Sequence, residues 1–302
     1  MLPNGFIFLQ RDWLSSNSLL LKHEDSSHMF DSGYATHAEQ LHQLLLNQLG
    51  DRPLDVLINT HLHSDHCGGN SLLQNNYVDL QILVPSTQFA QVNAWDEDAL
   101  TFQLTGQLCD RFHATGSIVQ GNTFCIHGLS WTAYASKGHD DDSLIFFQPD
   151  HGILISADAL WENGFSVVFP EFLGGRGFEE VSQTYDLIES LHPKVVVPGH
   201  GAIFNDVHKA LFLSRQRLDY FAKSPSSHAT YAAKVLIKFK LMELIHCPVE
   251  KFLLWCVYSP LLKTIHLQYF ESISFMSWTT GLIATLVAKH ALSVRNGVIY
   301  SL

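Results

Sequence analysis

The stretch from Val56 to Asn70 constrains this chain more than any other. Val56-Leu57-Ile58 is a short apolar run that reads as a buried strand. It feeds Thr60-His61-Leu62-His63-Ser64-Asp65-His66-Cys67-Gly68-Gly69-Asn70, with three His and one Asp between positions 61 and 66. Leu72-Leu73 then open a helix. Neutral imidazoles mixed with a carboxylate are the donors that a borderline ion such as Zn²⁺ prefers. The chain carries 18 His, and a chance His-x-His-x-Asp-His is expected in roughly a few such chains per thousand. The cluster therefore needs support from elsewhere in the sequence.

That support comes from a device repeated along the chain, a strand that ends in a His- or Asp-bearing turn. His28-Met29-Phe30 leads into Asp31-Ser32-Gly33. Ser136-Lys137-Gly138-His139-Asp140-Asp141-Asp142-Ser143 separates the strands Trp131–Ala135 and Leu144–Phe147. Gly152–Ser156 ends at Ala157-Asp158, and Lys194–Val197 ends at Pro198-Gly199-His200-Gly201. Alone, His139 and His200 read as turn residues and Asp158 as a helix cap. Their shared placement at strand ends, where α/β scaffolds gather their chemistry, points to one site.

The remaining elements place these turns in an α/β domain. Phe6–Leu9, Ser18–Leu21, Gln81–Val84, Ser117–Gln120 and Thr123–His127 read as further strands. Ala38, Leu41, Leu44, Leu45 and Leu49 make a helix stripe closed by Gly50. Thr87–Trp95 reads as helical, residues 96–116 as an irregular connection, and 159–178 as a long aromatic loop before a helix over Glu179–Leu191. Past residue 206 the strands stop. Helices are expected over Val207–Phe221, Tyr231–Ile245, Val249 to at least Leu262, and Trp278–Leu292. Lys223–His228 reads as a linker, and Asn296-Gly297 as a hairpin turn.

A chain of 302 residues, 46% hydrophobic and 16% charged, is long enough for two domains with a large core. The expected division is a catalytic domain over 1–205 and a helical, winged-helix-like domain over 206–302. Charge divides the same way. Residues 1–205 hold 7 Lys and Arg against 24 Asp and Glu, whereas 206–302 hold 11 against 5. Five scattered Cys without a CxxC pair argue against a disulfide framework. The start, Met1-Leu2-Pro3-Asn4-Gly5-Phe6, lacks the basic and apolar regions of a signal peptide. No run is long enough to span a bilayer. These readings place the protein in the cytoplasm, with no membrane partner.

The ordered motifs resemble those of the metallo-β-lactamase superfamily: Asp31, then His61-x-His63-x-Asp65-His66, Gly138-His139, Ser156-Ala157-Asp158 and Pro198-Gly199-His200-Gly201. The resemblance spans residues 18 to 204 and looks nearest to glyoxalase II-like hydrolases with a helical C-terminal domain. It implies a four-layer αββα sandwich. It also implies two Zn²⁺ ions, with iron or manganese as the other candidates. One ion would take His61, His63 and His139, and the other Asp65, His66 and His200. Asp158 would bridge them and Asp31 would orient the ligand loop. Asp140-Asp141-Asp142 stands where the family usually carries Thr-Pro, and Ala157 where it carries Gly.

The implied chemistry is attack by a metal-bridging hydroxide on a small ester, thioester or lactone, with Asp65 passing a proton to the leaving group. Asp65 and Asp158 are thus the candidate catalytic residues. No GxSxG serine motif competes. Trp161, Glu162, Phe165 and Phe169 are candidate walls for a small-molecule substrate. The alternatives are a mononuclear iron persulfide dioxygenase, a phosphodiesterase or ribonuclease, and a binding module with a structural metal. The acidity of residues 1–205 disfavours a nucleic-acid partner. Oligomeric state is open.

Overall fold

Apolar residues alternating along short strands bury one set of side chains between two sheets. In the computed structural model, which describes residues 2–302, the first sheet has six strands in chain order: β1 (Phe6–Leu9), β2 (Ser18–Lys22), β3 (Ser27–Phe30), β4 (Val56–Ile58), β5 (Gln81–Pro85) and β6 (Gly116–Ile118). β1 to β3 pair antiparallel and β3 to β6 parallel. The second sheet has five: β7 (Thr123–Ile126), β8 (Leu129–Ala135), β9 (Leu144–Gln148), β10 (Ile153–Ala157) and β11 (Val195–Pro198). Their order is β11-β10-β9-β8-β7, with only β10 and β11 parallel.

Between the sheets lies one core, to which Leu19, Leu21, Phe30 and Ile58 contribute from one side and Trp131, Phe146, Ile155 and Val197 from the other. Phe30 meets Phe146 at 5.0 Å and Trp131 at 5.8 Å between ring centroids. Truncating either Phe to Ala would cost about 3–5 kcal/mol. The alternate residues Leu20, Met29 and Leu57 are equally buried on the opposite face. Helix Ala38–Leu49 buries Leu41, Leu45 and Leu49, and helix Gly177–Leu191 buries Val181, Tyr185 and Ile188. Every residue of β9, β10 and β11 is buried. Both faces of each sheet are thus covered, which is the expected four-layer αββα sandwich.

The chain divides into two compact units, one through Leu100 with Leu108–Leu218, the other Thr101–Gln107 with Asp219–Leu302. The break falls inside the helix Val207–Lys223, not at 205/206. In the second unit, the segment read as irregular holds a short helix, Phe102–Thr105, and Lys240 Nζ donates to Gly106 O at 3.1 Å.

The expected linker at 223–228 is absent: helix Pro225–Leu244 starts at Pro225. Proline has no N–H to lose at the first helical position, so it starts this helix. Conversely, the helix read through Leu262 is broken into Val249–Tyr258 and Pro260–Tyr269, because Pro260 expels Ser259 from the α region. Helix Phe275–Ala288 leads into the expected hairpin of β13 (Leu292–Arg295) and β14 (Val298–Ser301), with Asn296 and Gly297 both at positive φ. A third strand, β12 (His246–Pro248), pairs with β14 and had no signal in the sequence. Among the described residues all five cysteines are free, and no helix is long and apolar enough to cross a membrane.

Candidate metal centre

Five strand ends build the site. Asp31 follows β3, the His61–His66 turn follows β4, His139 lies between β8 and β9, Asp158 follows β10, and His200 follows β11. Leu144 N at the start of β9 donates to Thr60 O at 2.8 Å, which pins one sheet to the other beside the site. Asn17 holds the last turn in place. Its Nδ2 donates to Pro198 O at 3.0 Å and to Gly201 O at 2.8 Å.

Two backbone features let the turns approach. Gly138 sits at φ 114°, and a Cβ there would strike Val181 and lie 2.8 Å from Gly177 O. A Cβ on Gly199 would strike Asp158 Oδ1 and come within 2.9 Å of His66 Cε1. Ala157 stands at φ 46°. That is the left-handed region that favours glycine.

The side chains fall into two groups whose donor atoms lie within 4.8 Å of one another: His61, His63 and His139, and Asp65, His66, Asp158 and His200. In the first, His61 Nε2 and His63 Nδ1 are 3.1 Å apart, and His63 Nδ1 and His139 Nε2 are 2.9 Å apart. In the second, His200 Nε2 lies 3.1 Å from Asp65 Oδ2, and His66 Nε2 lies 3.2 Å from Asp158 Oδ1. Asp158 faces both groups. Its Oδ1 is also 3.7 Å from His200 Nε2, while its Oδ2 is 3.4 Å from His139 Nε2.

The far sides of the rings fix their protons. Asp31 accepts from Thr60 N at 2.8 Å through Oδ1. Its Oδ2 accepts from Thr60 Oγ1 at 2.8 Å and from His66 Nδ1 at 2.7 Å. Because Thr60 Oγ1 gives its proton to Asp31, it accepts from His61 Nδ1 at 3.1 Å. His139 Nδ1 donates to Val167 O at 2.6 Å. His61 and His139 therefore turn bare Nε2 lone pairs toward His63. His63 Nδ1 carries at most one proton, so at least one of the two lone pairs facing it is unmet, and a cation among the three nitrogens would satisfy it.

Electrostatics agree. Burial, reinforced by neighbouring imidazoles, pushes His61 well below the ordinary histidine value and His139 down to about 4. Burial also lowers His63, against the pull of Asp65 and Asp158. These nitrogens are neutral and available at neutral pH. In the other group, burial opposes charge on His66, but Asp158, Asp31 and Asp65 outweigh it and hold its pKa well above the ordinary value. Burial also opposes ionisation of Asp65 and Asp158, yet His66 and His200 keep Asp65 below and Asp158 well below the usual carboxylate range. Carboxylates that hold a proton on a buried imidazole would hold a divalent cation there as readily. His66 Nε2 is fully buried, with carboxylate oxygens of Asp158 and Asp65 at 3.2 and 3.9 Å. The donor set fits metal ions.

Of the expected wall residues, Trp161 and Phe169 flank the donors. Trp161 Nε1 donates to Ala157 O at 3.2 Å and to Asp158 Oδ1 at 3.3 Å. Its ring meets His200 edge-on at 5.1 Å, and Phe169 meets His63 at 5.4 Å. Glu162 is exposed and Phe165 buried. Sequence reasoning missed Trp13, which stacks on His200 at 4.5 Å with an 8° interplanar angle and stays half exposed. It also missed Thr60 and Asn17. No local pattern links Trp13 or Asn17 to turns more than 180 residues away.

Comparison with curated proteins by sequence gives no significant match. Solved structures do resemble the chain. A metallo-β-lactamase family protein from Thermus thermophilus aligns over 100% of both chains with 18% identity and a TM-score of 0.57. The FEZ-1 metallo-β-lactamase of Legionella gormanii aligns over 72% of this chain and 93% of its own, with 14% identity and a TM-score of 0.59. A metallo-β-lactamase from Cronobacter sakazakii covers 74% of this chain and 92% of its own, with 14% identity and a TM-score of 0.57. The metallo-β-lactamase superfamily profile matches residues 11–200, a span that takes in all five motif-bearing turns. With the sandwich fold and the two His/Asp groups at its edge, that match shows that the chain belongs to the metallo-β-lactamase superfamily.

Proposed function

We propose that the protein is a two-metal hydrolase that cleaves a small ester, thioester or lactone. The observation that carries the reading is Asp158, whose two oxygens face different donor groups, the arrangement a shared ligand needs. His61, His63 and His139 would hold one ion, Asp65, His66 and His200 the other, and Asp158 both. Zinc suits this mixture of imidazole and carboxylate donors. When bound, the ions supply Lewis acidity, which makes water nucleophilic near neutral pH and polarises the scissile carbonyl.

The chain's own residues do the rest. Asp65, ionised and anchored by His200, is placed to accept a proton and return it to the leaving group. Asp31 and Thr60 engage the Nδ1 protons of His66 and His61, so each ring turns Nε2 to the site. Trp13, Trp161 and Phe169 offer apolar surface beside the donors, which suits an acyl group better than a polyanion. The complete second set, Asp65, His66 and His200, favours two ions over a single iron held by His, His and Asp. Nearness to glyoxalase II-like hydrolases is part of the same proposal and rests on the helical unit that follows. A cytoplasmic location is proposed on the free cysteines.

The test is a screen of the zinc-loaded protein against thioesters, lactones, β-lactams, phosphodiesters and single-stranded RNA, with Asp158→Ala as the control. Ester, thioester or lactone hydrolysis that disappears in Asp158→Ala supports the reading. Asp158-dependent cleavage of phosphodiesters or RNA alone would overturn it.

A further inference from the structure

The acidic triplet Asp140-Asp141-Asp142 follows the donor His139, and nothing in the proposed reaction uses it. We propose that Asp140 is a positioning residue for His63: its carboxylate accepts the Nε2 proton and fixes the tautomer whose bare Nδ1 faces His61 and His139. The inference rests on the two-ion reading.

The geometry is specific to one residue of the triplet. Asp140 Oδ1 accepts from Asp142 N at 2.8 Å, which ties that oxygen to the turn. The other oxygen, Oδ2, lies 3.4 Å from His63 Nε2, and the two side chains are only 12% and 11% exposed. The contact has ion-pair spacing; a carboxylate has no proton to give, so in any hydrogen bond formed there His63 Nε2 is the donor. His63 Nδ1, pointing at its two neighbours from 3.1 and 2.9 Å, then carries the lone pair. Phe169, which meets the His63 ring at 5.4 Å, offers no acceptor, so Asp140 is the group beside Nε2 that chooses between the tautomers.

The same device serves the second group. Asp31 Oδ2 accepts from His66 Nδ1, which leaves Nε2 as the atom turned to the site. Each trio would therefore have its own carboxylate behind one imidazole. Such partners orient the ring, raise its basicity, and typically change metal affinity by about 10–100-fold. Asp140 would act on the three-histidine ion alone.

The experiment titrates Zn²⁺ into the full ion-free chain against a chromophoric chelator, for wild type, Asp140→Ala, Asp140→Thr and Asp140→Asn. Far-UV circular dichroism and melting of the ion-free proteins report the fold. Wild type should bind two ions. Asp140→Ala should lose about 10–100-fold in affinity for one ion and keep the other unchanged. Asp140→Thr retains an oxygen for the turn but has none for His63, so it should show the same selective loss if the Ala variant fails to fold. Asp140→Asn still accepts through its amide oxygen and should recover most of the affinity.

If a folded Ala or Thr variant binds both ions with wild-type affinity, or loses both together, the positioning role is wrong while the two-ion reading stands. If wild type binds fewer than two ions, the two-ion reading itself has failed.

Discussion

Asp31→Asn tests the reasoning about ring protons most directly. The carboxylate accepts three hydrogen bonds, from Thr60 N and Thr60 Oγ1 at 2.8 Å each and from His66 Nδ1 at 2.7 Å. Asparagine preserves the volume and tolerates the φ of 55° at this position. It replaces one acceptor oxygen by a donor. If the amide oxygen stays on Thr60 N, the NH₂ faces His66 Nδ1, which must then accept. The His66 proton moves to Nε2, the atom that points at Asp158 and Asp65.

If the amide flips instead, its NH₂ meets the buried Thr60 N–H, donor against donor, at about 1–3 kcal/mol. Either way a charge-assisted bond worth about 1.5–3 kcal/mol is lost. We expect the ion held by Asp65, His66 and His200 to bind about 10–100-fold more weakly, with the three-histidine ion little changed. A two-step chelator titration reads this, and a thermal melt shows that the chain is folded. Wild-type affinity for both ions in folded Asp31→Asn would refute the assignment of protons on which the site is built.

Four further outcomes are expected. The purified chain should carry close to two transition-metal ions by elemental analysis, and fewer than one with all seven donors intact would count heavily against the centre. His61→Ala should abolish hydrolysis in a folded protein; retention of more than about a tenth of kcat, under ~1.4 kcal/mol of barrier, would rule it out as a ligand. Gly199→Ala should destabilise the chain by about 1–3 kcal/mol and lower metal content, because the added methyl meets Asp158 and His66; an unchanged melt and full metal content would contradict that packing. His228 is buried in the second unit and pushed down to about 4 by burial. The unfolded chain then binds its proton first, so stability falls as pH drops from 6.5 toward 4, by about 3 kcal/mol. His228→Phe should lose that part of the acid sensitivity, and identical acid profiles for the two proteins would show that His228 is not responsible.

The helices after residue 206 show where one-dimensional reading stops. Ser-Pro-Ser-Ser suggests a linker by composition, but Pro225 occupies the first helical position, where its missing N–H costs nothing. Pro260 sits inside an apolar run that reads as one helix, and there it breaks the helix. Composition is the same in both cases, and only position within the helix decides. β12 has no signal in the sequence because a three-residue strand with no apolar alternation is defined by its partner β14, whose paired residues lie 50 to 54 positions on.

At the site, the sequence alone determined which residues supply donors. His61, His63, Asp65 and His66 are close in sequence, and the rigid strand-to-turn geometry leaves such a cluster few places to go. His139, Asp158 and His200 could be assigned because each ends a strand, and strand order in a sheet brings those ends to one edge. The family resemblance also implied how the donors divide; only the tertiary structure decided which oxygen of Asp158 faces which group and which nitrogen of each ring turns to the site. Those answers depend on hydrogen bonds of 2.6–3.0 Å between turns far apart in sequence, such as Thr60 with Asp31, His139 with Val167, and Asn17 with Pro198 and Gly201. Hydrogen bonds and ring contacts act over a few ångströms, so they exist only after the strands have been brought together.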